Sequence, residues 1–250
     1  MKHKRVSRSF LKLVYLVVAI IALAFLVWGI KKYRNAEKET FAEVPAYVVR
    51  GIDLSHHNDI VEPQKLLNES VSFVYLKATE GTDHLDRNFT INYQQLGSVG
   101  IRVGAYHFYS FGVSGKLQAS HFIQTAKLQS PDLIPAIDVE HSSTNPYSTD
   151  TAYVNKVIYE LKVLEEELHQ YYGKKPLIYT NKECYRLYIE KNFPDNLLWV
   201  VDLHNEPPLE IKNWRIWQFS HQGRVKGVNG KVDLNYYRYT LKEFDEMLLP

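Results

Sequence analysis

Eight short β-rich runs, most of them separated by stretches long enough for a helix, constrain this chain more than any other feature. They are YVVRGIDLS, SFVYLKATE, RVGAYHFYS, LIPAIDVEH, KPLIYTN, NLLWVVDL, WRIWQFS and KVDLNYY. Strands joined by helix-length connections pair in parallel, because each crossover returns the chain to the same end of the sheet. The clearest connecting helix is 151–172, where Val154, Val157, Ile158, Leu161, Leu164 and Leu168 recur at helical spacing. After the sixth run the connections shorten, and SHQGRVKGVNG is Gly-rich and turn-like. The final TLKEFDEMLL reads as an amphipathic helix, with Thr240 as its N-cap and Glu243 three residues on. Eight strands in about 200 residues predict an α/β chain closed into a barrel that lacks its last helices.

In barrels of this kind the functional groups sit where the strands end. Here the first strand ends in Asp53, Ser55 and His56, and the second in Lys77, Thr79 and Glu80. The third ends in Tyr106, His107 and Phe108, the fourth in Asp138 and Glu140, and the fifth in Tyr179 and Asn181. The sixth supplies Asp202, the seventh Trp217 and Gln218, and the eighth Asp233 and Asn235. One polar strand end means little, whereas eight together describe a cleft. Asp138 and Glu140 stand two apart after an apolar run, so a strand would aim both carboxylates at one face.

An acidic cleft lined with aromatic rings suits a carbohydrate, whose C–H faces stack on Tyr and Trp while carboxylates and amides take the hydroxyls. Glycoside hydrolysis needs one protonated carboxyl for the leaving oxygen and a negative group opposite the oxocarbenium-like transition state. Crowded acids provide this, since neighbouring negative charge keeps one of them protonated near neutrality. Asp53 with SHHN (55–58) admits a metal reading, but His56 and His57 are adjacent and no spaced ligand motif accompanies them, so no metal or cofactor is expected. Cys184, the one cysteine, lies in a helical segment away from the strand ends and is not expected to act as a nucleophile.

The N-terminus is different in kind. LVYLVVAIIALAFLVWGI, residues 13–30, carries no charge, and basic residues flank it on both sides. At 1.5 Å per residue it is about 27 Å long, which predicts a transmembrane signal anchor, with cleavage and secretion as the alternative. Through Thr40 the chain has 9 Lys+Arg against 2 Asp+Glu, leaving 21 against 26 for the remainder. The basic pI therefore belongs to the N-terminal segment, and the acidic body argues against nucleic acid as a partner.

The motifs GIDLSHHN, FVYLKATEGTDHLDRNF, VGAYHFY, PAIDVE, PLIYTN, LW, WQFS and VDLNYY occur in this order. Together they make the chain similar to the family 25 glycoside hydrolases, the lysozyme-type muramidases, over roughly 48–237. The resemblance implies an irregular TIM-like β/α barrel of eight strands and about five helices, here preceded by the transmembrane helix. It implies cleavage of the β-1,4 bond between N-acetylmuramic acid and N-acetylglucosamine, with the glycan strands of peptidoglycan as partner. Matched residue by residue, Glu140 is the expected proton donor, Asp138 its electrostatic or orienting partner, and Asp53 and Asp233 the two further acids. Glu80 falls on a signature position, and Tyr106, Phe108, Tyr179, Trp217 and Gln218 on cleft-lining positions. Asp202 is placed on the cleft wall as well, although many relatives carry an aromatic residue near it.

The organisation expected is a cytoplasmic basic tail (1–12), the anchor (13–30), a linker (31–46) and a catalytic barrel (47–250), held outside the cytoplasm as a membrane-anchored monomer. Two mechanisms fit the D-x-E spacing: attack by the sugar's own N-acetyl oxygen, or direct displacement by an activated water. Two other readings compete, a catalytically silent wall-binding module and a glycosidase or deacetylase acting on another N-acetylated glycan.

Overall fold

In the computed structural model, residues 8–36, 47–208 and 210–250 are described, and the chain divides into a unit Met1–Thr40 and a unit Phe41–Pro250. The expected basic tail before residue 8 and the expected linker from residue 37 onward lie outside the described residues.

Among the described residues the first unit contains one helix, α1 (Arg8–Ala36), and the large apolar side chains described along it, from Val14 to Ile30, are exposed. Among the described residues no helix is long and apolar enough to cross a membrane. The expected transmembrane segment, and with it the expected membrane anchoring of the body, is corrected accordingly.

In the second unit the eight runs all form strands. They are β1 (Arg50–Leu54), β2 (Phe73–Glu80), β4 (Arg102–Phe108), β5 (Ala136–Val139), β6 (Leu177–Asn181), β7 (Leu198–Val201), β8 (Trp214–Gly223) and β9 (Val232–Tyr237). The order around the sheet is β1-β9-β8-β7-β6-β5-β4-β2, and pairing of β1 with β2 closes it into an eight-strand barrel. A two-residue strand not anticipated from the sequence, β3 (His84–Leu85), folds back antiparallel on the end of β2.

The expected β/α barrel is corrected in two respects. The first concerns direction, since β9 runs antiparallel to both β8 and β1. Only residues 224–231 join β8 to β9, and a parallel return needs a crossover of a dozen or more residues, so the chain turns back as a hairpin. The second concerns helix content, for helices are few. The substantial ones are α3 (Phe89–Ser98), α4 (Gly115–Ala126) and α5 (Thr151–Tyr172). Beside them, α2 (Pro63–Leu67) and α6 (Lys182–Cys184) are single turns. The expected C-terminal helix is only a 3-10 turn, Glu243–Met247. Its capping pair is nonetheless made, with Thr240 N and Oγ1 donating to Glu243 Oε2 at 3.0 and 2.7 Å. The turn stops because Leu248 bridges to Leu133 and the Leu249 N–H donates to the Asp132 carbonyl, which pulls the chain into an extended path.

Large rings fill the barrel, and glycines make room for them. A Cβ on Gly51 would stand 2.2 Å from the Phe73 ring, and one on Gly104 2.4 Å from the Tyr75 ring. The alternation of small and large residues suits a narrow barrel, and it accounts for part of the chain's richness in tyrosine. Outside the barrel, α5 buries Val154, Val157, Leu161, Leu164 and Leu168, the stripe its spacing predicts.

Helix α4 begins directly against the backbone of α5. A Cβ on Gly115 would lie 2.0 Å from the Glu160 carbonyl oxygen and 2.7 Å from the Leu164 nitrogen. Gly115→Ala is therefore expected to destabilise the protein by about 1–3 kcal/mol, as overpacking does. At roughly 2–4 °C per kcal/mol for a body of this size, a thermal melt should show the loss, and an unchanged Tm would mean the two helices are free to slide apart.

Candidate active site

The parallel strands deliver their C-terminal ends to one mouth of the barrel, and β9, being reversed, delivers its beginning. Asp233 near the start of β9 is thereby the register partner of Asp53 in β1. A pocket of about 250 Å³ opens at this mouth. Four carboxylates line it, those of Asp53, Asp138, Glu140 and Asp233. Its other walls are Tyr106, Tyr179, Trp199, Gln218 and His221.

A chain of hydrogen bonds fixes the floor. Tyr179 OH donates to Gln218 Oε1 at 2.9 Å, and Gln218 Nε2 donates to Asp53 Oδ2 at 2.9 Å. Asn235 Nδ2 donates to the same Asp53 oxygen at 2.8 Å, while Asn235 Oδ1 accepts from the Trp199 indole at 2.8 Å. Each member of this relay is buried. Such a network holds its side chains in one arrangement, since moving any of them strands a polar atom in a medium of low dielectric.

Burial dominates the proton affinities. It pushes the pKa of Asp53 well above the usual carboxylate range, with the charge of Asp233 adding to the rise and the amides of Asn235 and Gln218 opposing it. Asp138 is likewise raised well above normal, by burial first and then by Glu140, against the pull of Lys77. Glu140 is raised by burial, and the nearby His221 partly offsets this. The His221 imidazole has Nδ1 3.1 Å from Asp233 Oδ1, and this contact raises its own pKa. The phenols of Tyr106 and Tyr179 are pushed up by burial and by the surrounding acids, so both stay neutral hydrogen-bonding groups.

One atom in the site is unsatisfied. Asp138 Oδ1 is buried and has no hydrogen-bond partner among the described residues. Buried acceptors nearly always have one, so an orphan in a pocket points to where a donor from a bound molecule fits.

The remaining expected site residues lie outside the pocket lining. Glu80 at the end of β2 accepts from Lys77 Nζ at 2.6 Å, and that ammonium sits 4.8 Å from the centre of the Phe108 ring. Glu80 and Phe108 thus hold the lysine whose charge acts on Asp138 and Glu140. Asp202 caps a turn, its Oδ1 accepting from the backbone nitrogens of His204 and Asn205 at 3.0 Å each. Trp217 donates its indole N–H to the Asp202 carbonyl at 2.8 Å and packs edge-on against Tyr47.

Trp199 and His221 are the lining residues that sequence reasoning passed over. Trp199 lies inside an apolar run and carries no polar signal of its own. His221 falls in a stretch read as a turn, but β8 continues through it to Gly223 with register shifts on either side of Ser220. A bulge adds one residue to the count and rotates the faces, so His221, three places after Gln218, shares its side of the strand.

His56 is tied to Asp86, its backbone N–H donating at 2.7 Å and its Nδ1 lying 3.1 Å from the same oxygen. Among the described residues no group of three or more His, Cys, Asp or Glu side chains is arranged to hold a metal ion. Cys184 is buried, which pushes its thiol up to about 12 and keeps it protonated.

Comparisons with known proteins agree with this geometry. The sequence profile of Glycosyl hydrolases family 25 matches residues 52–228. The Escherichia coli (strain K12) protein YegX is 31% identical over 217 residues, covering 84% of this chain and 77% of that one. The N,O-diacetylmuramidase of Chalaropsis sp is 30% identical over 204 residues, 74% of this chain and 96% of that one. Among solved structures, a family 25 glycosyl hydrolase from Bacillus anthracis superposes with a TM-score of 0.73 at 32% identity, covering 82% of this chain and 95% of that one. A barrel mouth with four crowded acids, in a chain that this profile matches over most of its length, has one assignment: the protein belongs to glycosyl hydrolase family 25 and is a glycoside hydrolase.

Proposed function

We propose that the chain is a peptidoglycan muramidase, a lysozyme that hydrolyses the β-1,4 bond between N-acetylmuramic acid and N-acetylglucosamine. The observation that carries the reading is the set of four carboxylates on one small pocket, with Asp138 Oδ1 left unpartnered among them. An N-acetylated sugar brings an amide N–H, which is the kind of donor that oxygen lacks. The muramidase relative and the family supply the substrate class.

In this reading Glu140 gives its proton to the glycosidic oxygen as the C–O bond breaks, and water then bonds to the anomeric carbon while one of its protons returns to Glu140. Burial keeps that proton on Glu140 to higher pH than an exposed carboxyl would hold it. Asp138 accepts from the substrate's acetamido N–H and faces the positive charge that develops on the sugar, an arrangement that favours attack by the N-acetyl oxygen. Asp53, fixed by Gln218 and Asn235, and Asp233, beside His221, complete the floor of the pocket.

Mass spectrometry of purified peptidoglycan digested by the full chain tests this. New reducing-end N-acetylmuramic acid is the expected product. Reducing-end N-acetylglucosamine, or loss of acetyl groups without chain cleavage, would refute the reading in favour of a different hydrolase.

A further inference from the structure

A second groove, of about 390 Å³, is lined by Tyr147, Lys182, Glu183, Arg186 and Leu187. Lys182 begins α6 immediately after Asn181, the last residue of β6. Strand β6 is the parallel neighbour of β5, with Asp138 and Tyr179 as register partners, so the groove opens at the same barrel mouth as the pocket. His141, the residue after Glu140, joins the two. Its Nδ1 lies 3.1 Å from Glu183 Oε2, and its ring meets Tyr147 edge-on at 5.3 Å between centroids.

The groove's charge runs against that of the body around it. Lys182 and Arg186 are both exposed, and neither side chain has an ion pair, hydrogen bond or ring contact among the described residues. Elsewhere the body's cations are commonly engaged, as in Lys77 with Glu80, Arg102 with Asp245, Lys175 with Glu165 and Arg215 with Glu246. Tyr147 and Leu187 add apolar surface, Tyr147 being 56% exposed. The backbone here is unusual too, since a π-helical turn, Tyr185–Ile189, follows α6 and widens the helix where Arg186 and Leu187 project. Such turns are rare and recur at functional sites.

An ordinary glycan has nothing for two free cations to bind. Muramic acid differs, for its lactyl ether carries a short peptide that bears free carboxylates and small apolar side chains. We propose that this groove is a subsite for the carboxylate-bearing peptide stem of the substrate, with Lys182 and Arg186 as the charged contacts and Tyr147 packing on the stem's apolar side. The inference rests on the muramidase reading and extends it from the sugar to the peptide.

The test compares kcat/KM on two glycans, peptidoglycan with its stems and the same material after an amidase has removed them and left a free lactyl carboxylate. For the full chain carrying Lys182→Ala and Arg186→Ala together, a loss of roughly three- to thirtyfold is expected on the stem-bearing glycan, as for two exposed ion pairs. On the stem-free glycan the rate should be unchanged. A rate unchanged on both glycans would overturn the proposal. Equal loss on both would overturn it as well, by placing the contact on the lactyl group or the sugar. Binding of the isolated stem tetrapeptide to the full chain, expected to weaken in the double variant, needs no catalysis. If the wild-type chain cleaves neither glycan, the muramidase reading fails, and the tetrapeptide measurement still decides whether the groove takes the stem.

Discussion

Glu140→Gln is expected to lower kcat on peptidoglycan by about 10²–10⁴-fold, the usual contribution of general acid catalysis, while the melting temperature stays near that of the wild type. Gln preserves the size and most of the hydrogen bonding of the side chain and removes only the proton to be transferred. The loss should therefore shrink on a substrate whose leaving group departs without protonation. The pH profile carries a second signature. Activity needs Glu140 protonated, so it falls as pH rises through the raised pKa of that group, and the alkaline limb lies above the ordinary carboxylate range. The Asp233 charge contributes to the rise, so Asp233→Asn should move the limb to lower pH whatever it does to the plateau. Near-wild-type activity of Glu140→Gln would remove Glu140 from the role of acid.

The second large effect is expected at Asp138. Asp138→Asn should cost about 10²–10³ in kcat, the scale on which a preorganised charge or hydrogen bond at the reacting centre contributes. Its cause differs from that at Glu140, and so does its remedy. Burial above all holds the Asp138 carboxyl well above its normal pKa in the free site. Positive charge growing on the bound sugar would draw it into the ionised form, and an Asn side chain has no such form to adopt. An activated leaving group does not replace that charge, so it should rescue Glu140→Gln and leave Asp138→Asn impaired. Equal rescue of the two variants, measured as kcat on an aryl glycoside against kcat on the natural glycan, would show that the roles are reversed or shared.

What the sequence made legible, and what it concealed, follows from the range of the forces involved. All eight strands were visible because burial imposes its pattern residue by residue, and the acids were visible because carboxylates at the ends of apolar runs are conspicuous. Direction was harder to read. Nothing within KVDLNYY says that it runs against its neighbours, and the signal lay in the short connection before it. His221 was hidden by a bulge, since strict alternation through Gln218 and Ser220 carries the count past it. Glu80, Phe108 and Asp202 sit at strand ends, as expected, and Trp217 lies within the longer β8, yet the structure gives them to Lys77, to a turn and to an aromatic cluster. Position along a strand predicts proximity to the mouth, whereas competition among neighbours decides which side chains face it. At the C-terminus the Thr240–Glu243 pair gave the local signal for a helix, and contacts of Leu248 and Leu249 with distant backbone overrode it.

The antiparallel seam also governs when the molecule can come into being. Strand β1 pairs with β2, its successor in the chain, and with β9, some 180 residues later. During synthesis the first strand leaves the ribosome long before the strand that covers its other edge. Asp53 cannot meet Asp233 or Asn235 until almost the whole chain has emerged. Pairings so distant in sequence are slow to form, and the uncovered edge of β1 invites pairing with other chains in the meantime. The acidic centre is thus assembled last, by the same event that seals the barrel, and a chain cut short before Val232 lacks both the closing strand and half of its paired acids.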